Sequence, residues 1–143
     1  MRRYNPSTLE LVELSSQAAR READVGLQIL ARQSGNVTIL DMRGRIVIGA
    51  SNDSFEAQLR KLAESRPCAV LLNLAEVTQM DSSGISTMVR SYITLTRDGG
   101  SLKILNPTGH VHELLKITHL DNSLPIFTDE AHALASFGSA AHA

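Results

Sequence analysis

The chain has 143 residues, a formal net charge of −1 and a single cysteine; 43% of it is apolar and 3% aromatic, with no tryptophan. That length supports one domain with a core built from Leu, Ile, Val and Ala. The near-neutral charge argues against a nucleic-acid or anionic-membrane partner, since both call for a basic surface, and a lone Cys68 excludes an intrachain disulfide framework and paired-cysteine zinc spacing.

Met1 to Pro6 holds two arginines with no apolar run behind them, which does not fit a signal peptide. No stretch approaches the ~20 apolar residues of a membrane-spanning helix, so the expected location is the cytoplasm. Ser7-Thr8-Leu9-Glu10 fits a capping box, and Leu11, Leu14 and Ala18 would share one face of a short N-terminal helix. Gly26 to Ala31 reads as a first strand, and Ser34-Gly35-Asn36 as a turn. Val37, Ile39 and Met42 predict a second strand ending near Gly44, with Ile46-Val47-Ile48 as a short continuation and Gly49 to Asn52 as loop. Asp53, with Glu56 three residues on, predicts the cap of a helix whose inner face is Phe55, Leu59 and Leu62.

Cys68 to Leu74 is a continuous apolar run, the pattern of a strand buried on both faces. After Val77 to Met80 comes Asp81-Ser82-Ser83-Gly84, and then Ile85, Met88, Val89 and Tyr92 at helical spacing, stopped by Asp98-Gly99-Gly100. Leu102, Ile104 and Leu105 form a further strand. Asn106-Pro107-Thr108 opens a helix with Val111, Leu114 and Leu115 inward, and Ile126-Phe127 is a short strand. Thr128 caps a last helix, with Ala131, Leu134 and Ala135 inward. Strands alternating with helices define an α/β fold: a mixed, mostly parallel sheet of about four to six strands with helices mainly on one face.

The segment that carries chemistry is Asp81-Ser82-Ser83-Gly84-Ile85-Ser86. A strand ends there and a helix begins, so free backbone N–H groups and the positive end of the helix dipole face the serines. A phosphate is favoured in such a place. Local spacing alone favours the plainer reading, in which Asp-Ser-Ser before an apolar helix is an ordinary N-cap, supplied by Asp81 or Ser82. The same segment is not Gly-x-Ser-x-Gly, and the chain has no Walker-type loop, so hydrolase and nucleotide-binding readings lack their residues. His110 and His112 read as solvated, and His119 as lying near a helix C-terminus. Arg90 and Arg97 lie off the apolar stripe, solvated or available to an acidic partner. No catalytic set, metal site or cofactor is expected.

From Leu27 to Phe137 the chain resembles the STAS domain of bacterial anti-sigma factor antagonists. Val70 to Ile85, Asp98-Gly99-Gly100-Ser101-Leu102-Lys103-Ile104-Leu105-Asn106-Pro107 and Val111 to Thr118 carry the likeness. It implies an N-terminal extension over residues 1–24, a STAS domain over 25–138 and a short tail over 139–143. It also implies a non-enzymatic switch, phosphorylated on Ser83 by an anti-sigma factor that is a GHKL-type serine kinase and reset by a PP2C-type phosphatase. The unphosphorylated form would bind the anti-sigma factor and free the sigma factor, with Asp81, Ser82, Ser83, Gly84, Ile85, Ser86 and Arg90 as the partner-binding patch. One departure stands out. Where the family often has an acid in a Gly-Glu-Leu-Asp segment, this chain has Gly44-Arg45-Ile46-Val47, with Val47 at the acid's place and Asp53 as a candidate substitute. The alternative is a STAS scaffold within a larger signalling or transport assembly, without phosphorylation.

Overall fold

The computed structural model describes residues 26–65 and 68–142. The capping box at Ser7 and the rest of the predicted extension lie outside them. Five strands form one sheet in the order β1 (Leu27–Ser34), β2 (Val37–Ile46), β3 (Ala69–Met80), β4 (Ser101–Leu105) and β5 (Ile126–Phe127). β1 and β2 make an antiparallel hairpin; every later pair is parallel. Helices α1 (Ala50–Leu62), α2 (Ser82–Arg97) and α3 (Gly109–Ile117) connect successive parallel strands, and α4 (Glu130–His142) closes the described chain.

The central strand explains the layering. Val70, Leu72 and Leu74 point into a large core shared with Phe55 and Leu59 of α1, Met88 and Leu95 of α2 and Val111 and Leu115 of α3. Leu71, between them, points the other way, into a smaller core with Val37, Ile39, Leu105 and the α4 residues Ala133 and Phe137. A run that is apolar at every position is thus a strand covered on both faces. Crossovers between adjacent parallel strands share one hand, which puts α1, α2 and α3 on one face and leaves α4 alone on the other.

Several boundaries differ from the sequence expectation. β2 runs unbroken through Ile46, and two register shifts against β3 replace the expected break near Gly44. Gly44 sits at φ 117, and a Cβ there would meet the Gly26 carbonyl oxygen at 2.2 Å. Only glycine lets the hairpin strands approach so closely. α1 begins at Ala50, so Gly49 is its N-cap and Asp53 lies within the first turn instead of capping it. No side chain caps the helix; the Ser51 hydroxyl instead ties its first turn back to the loop before it, accepting from the Val47 N–H and donating to the Val47 carbonyl, both at 2.9 Å. β3 extends past the apolar run to Met80, a twelve-residue strand that delivers the serine turn to the sheet's edge. In α4 the cap is Asp129, not Thr128: its carboxylate accepts from the His132 N–H at 2.8 Å. The inward residues are Ala133, Leu134 and Phe137, while Ala131 and Ala135 are exposed. The phase follows Phe137 and Leu134, the large apolar groups of that helix, with Phe137 the more deeply buried.

Candidate functional site

The serine turn joins the C-terminal end of β3 to α2. Asp81 is the N-cap, in extended geometry. Its Oδ1 accepts from the Ser83 N–H at 3.0 Å, from the Gly84 N–H at 3.3 Å and from the Ser83 hydroxyl. Its Oδ2 accepts from the Ile48 N–H at 2.8 Å. These donors, the Ser83 hydroxyl foremost, hold the carboxyl below the usual carboxylate range. Capping therefore falls to Asp81, one of the two residues considered for it, and Ser82 is left to solvent.

The predicted patch divides. Ser82, Ser86 and Arg90 are exposed at i, i+4 and i+8, one line along the outer side of α2 that Ile93 and Arg97 continue. Ser83 is half-buried, its hydroxyl turned to Asp81. Gly84 is buried, and Ile85 packs partly against the main core. A Cβ on Gly84 would meet the Met80 Cγ at 2.8 Å and the Ile46 Cγ2 and carbonyl oxygen at 2.9 Å. Gly84 therefore seats the helix start against the ends of β2 and β3. Arg90 is engaged: it donates to the Ser86 hydroxyl at 3.3 Å and to Glu56 of α1 at 3.2 Å, and Glu56 also pairs with Arg60.

Three neighbours of the turn were not legible in the sequence. Ile48 reaches Asp81 across 33 positions. His110 is exposed, as expected, but its Nε2 also lies 3.1 Å from the Met80 carbonyl oxygen, tying the start of α3 to the strand end that carries the turn. Thr87 donates to Asn52 at 2.9 Å in the buried seam between α2 and α1. All three are contacts between elements distant in sequence, and no local pattern encodes them. Val47 lies in the same loop as Ile48, so the loop whose backbone meets the turn carries two apolar residues. Among the described residues no group of three His, Cys, Asp or Glu could hold a metal ion, and no helix is long and apolar enough to cross a membrane.

A sheet of this order, with a capped Asp-Ser-Ser-Gly turn at the end of its central strand, defines a class. The STAS domain profile matches residues 28–133, and the chain belongs to that family. Among its relatives, the anti-sigma F factor antagonist of Paenibacillus polymyxa is 28% identical over 111 residues, 77% of this chain and 94% of the relative. An anti-sigma factor antagonist from Mycobacterium paratuberculosis shares the fold at a TM-score of 0.65 and 20% identity, over 77% of this chain and 92% of that one. The Bacillus cell fate determinant SpoIIAA in its phosphorylated form does so at 0.60 and 15% identity, over 76% and 98%.

Proposed function

We propose that this protein is a cytoplasmic anti-sigma factor antagonist whose on–off state is set by phosphate in the Asp81–Gly84 turn. The observation that carries the reading is the placement of two serines at a capped helix start, on the rim of the outer α2 face formed by Ser82, Ser86 and Arg90. The partner is an anti-sigma factor of the GHKL serine-kinase type, and a PP2C-type phosphatase resets the switch. The family to which the chain belongs and the antagonist from Paenibacillus polymyxa support this reading.

The mechanism is electrostatic. Phosphate brings about −1.5 to −2 charges to a small surface. Docking against a partner would strip water from that charge or set it against acidic groups, at a cost of several kcal/mol, a loss of ~100-fold or more in affinity. The fold itself need not change.

Ser83 is the acceptor that the family resemblance implies, and one feature of the turn favours its neighbour. The Ser83 hydroxyl donates to Asp81, so a phosphate on it would face the carboxylate within hydrogen-bonding distance, whereas Ser82 is exposed. The test is incubation with ATP and a GHKL-type anti-sigma factor, followed by tandem mass spectrometry and by calorimetry on the wild type, Ser82→Ala, Ser83→Ala and Ser83→Asp. Tight binding that is lost with phosphate on either serine supports the switch, and the modified position chooses between them. Binding without any phosphate on the turn favours the scaffold reading, which the apolar Val47 beside the turn also fits.

A further inference from the structure

Val47, Ile48 and Gly49 form the short loop between β2 and α1. Ile48 at its tip is 80% exposed, the most open large apolar side chain among the described residues. An isoleucine in that position adds nothing to a core, yet its backbone is held in place. The Ile48 N–H donates to Asp81 Oδ2, the Val47 N–H is taken by Ser51, and Gly49 holds φ 109, a conformation that a residue with a side chain rarely adopts. Meanwhile Asp81 Oδ1 holds the Ser83 and Gly84 N–H groups and the Ser83 hydroxyl. One carboxylate thus bonds to both the serine turn and the tip of the loop that displays Ile48, while Ser51 and the Asn52 N–H hold the loop's base at Val47.

We propose that Asp81 is a latch that holds Ile48 beside the serine turn as an apolar anchor for the partner, and that negative charge added to the turn opens the latch. The occupant for Ile48 is an apolar pocket on the anti-sigma factor, because Ile48 and the serines flank the same side chain and are presented together. This much rests on the antagonist reading; the latch itself does not. A phosphate on either serine repels the Asp81 carboxylate and competes with it for the N–H groups of the first turn. Ile48 is the one hydrogen-bond partner of the Asp81 carboxylate that lies outside the helix start, and this bond gives way when the carboxylate shifts, while the Asp81 N–H stays on the Ile46 carbonyl oxygen at 3.2 Å. Modification then removes the anchor as well as adding a charge.

Asp81→Asn separates the two tasks of this side chain. Asparagine caps helices about as well as aspartate, and its carbonyl oxygen keeps the Ser83 and Gly84 N–H groups. Its amide group then faces the Ile48 N–H, donor against donor. In amide hydrogen exchange by NMR, Ile48 should exchange at least ~10-fold faster in Asp81→Asn and several-fold faster in Ser83→Asp, with the amides of Leu59 and Arg60, in the second half of α1, unchanged. Ser83→Ala, which removes the hydroxyl without adding charge, should leave Ile48 near the wild-type rate. Unchanged Ile48 exchange in Asp81→Asn, or equal acceleration in Ser83→Ala and Ser83→Asp, overturns the latch. In calorimetry with the anti-sigma factor, Ile48→Ser should weaken binding about 10-fold or more, and Asp81→Asn should add little to it, because both remove the same anchor. Wild-type affinity in Ile48→Ser overturns the anchor. A wild-type protein that binds no anti-sigma factor overturns the antagonist reading and the anchor together, while the exchange rates still decide the latch.

Discussion

Asp81 accepts four hydrogen bonds from two segments of the chain, three of them from backbone N–H groups. Removing the side chain orphans the first turn of α2 and the Ile48 N–H together, so Asp81→Ala should lower stability by about 1–2 kcal/mol, read as a smaller urea midpoint. The same donors keep this carboxyl below its ordinary range. A group whose folded value is depressed adds stability above the ordinary carboxylate pKa and loses it as pH falls through the lower folded value. The stability difference between wild type and Asp81→Asn should therefore be constant near neutrality and narrow below about pH 4. Asp41 titrates in the same window, held low chiefly by Arg32 and also by Asn73. Because Asp41 is present in both proteins, its contribution cancels in the comparison.

At the scale of elements, α2 has three functions on three sides. Its start carries the serines, its outer line presents Ser86, Arg90 and Ile93, and its inner side buries Met88 and Leu95 in the main core and meets α1 through the buried Thr87–Asn52 pair. Thr87→Val keeps the shape and removes the donor, leaving a buried amide oxygen without it. A loss of about 1–3 kcal/mol in urea unfolding is expected. Arg90→Ala, in contrast, breaks an exposed pair with Glu56 whose worth to folding is below about 1 kcal/mol. Its effect should appear in partner binding and in the salt dependence of the association rate. The helix itself was legible in the sequence, because Ile85, Met88, Val89 and Tyr92 recur at helical spacing and Asp98-Gly99-Gly100 ends it. So was β3, whose apolar run admits no other element of that length. The start of α1 was not legible: Asp53 looks like a cap, and only the folded loop shows Ser51 bonding back to Val47. The phase of α4 was hidden for a related reason, since Ala131 and Ala135 are too small to specify a face and Phe137 decides it through contacts with distant strands. Within the site, residue type narrowed the cap to Asp81 or Ser82, while the choice of Asp81 and its reach to Ile48 depended on how β2 and β3 lie side by side.

The whole molecule is a sheet with two unequal sides. The large core under α1, α2 and α3 supports the serine turn; the small core under α4 does not touch it. On the α4 side, Arg32 of β1 links Asp41 of β2 to Glu130 of α4, which it meets at 2.9 Å. Lys103 of β4 lies 4.7 Å from the centre of the Phe137 ring and donates to Ser136 at 2.8 Å; burial pushes its pKa down. Phe137 is thus both the main apolar group of α4 and the cover over a lysine. Phe137→Ala should cost about 3–5 kcal/mol, since it empties a ring-sized space and lets water reach Lys103. Of that loss, the Arg32 ion pairs can recover little, because they are largely exposed. The outcome to look for is a split between two measurements. The thermal midpoint of Phe137→Ala should fall by roughly 10 °C or more, and α4 amides should lose exchange protection first. Affinity for the anti-sigma factor, measured well below that midpoint, should stay within about twofold of wild type, because the serine turn, Ile48 and the outer line of α2 all stand on the opposite layer. A matched fall in affinity would mean that α4 forms part of the docking surface, and would move the partner to the other side of the sheet.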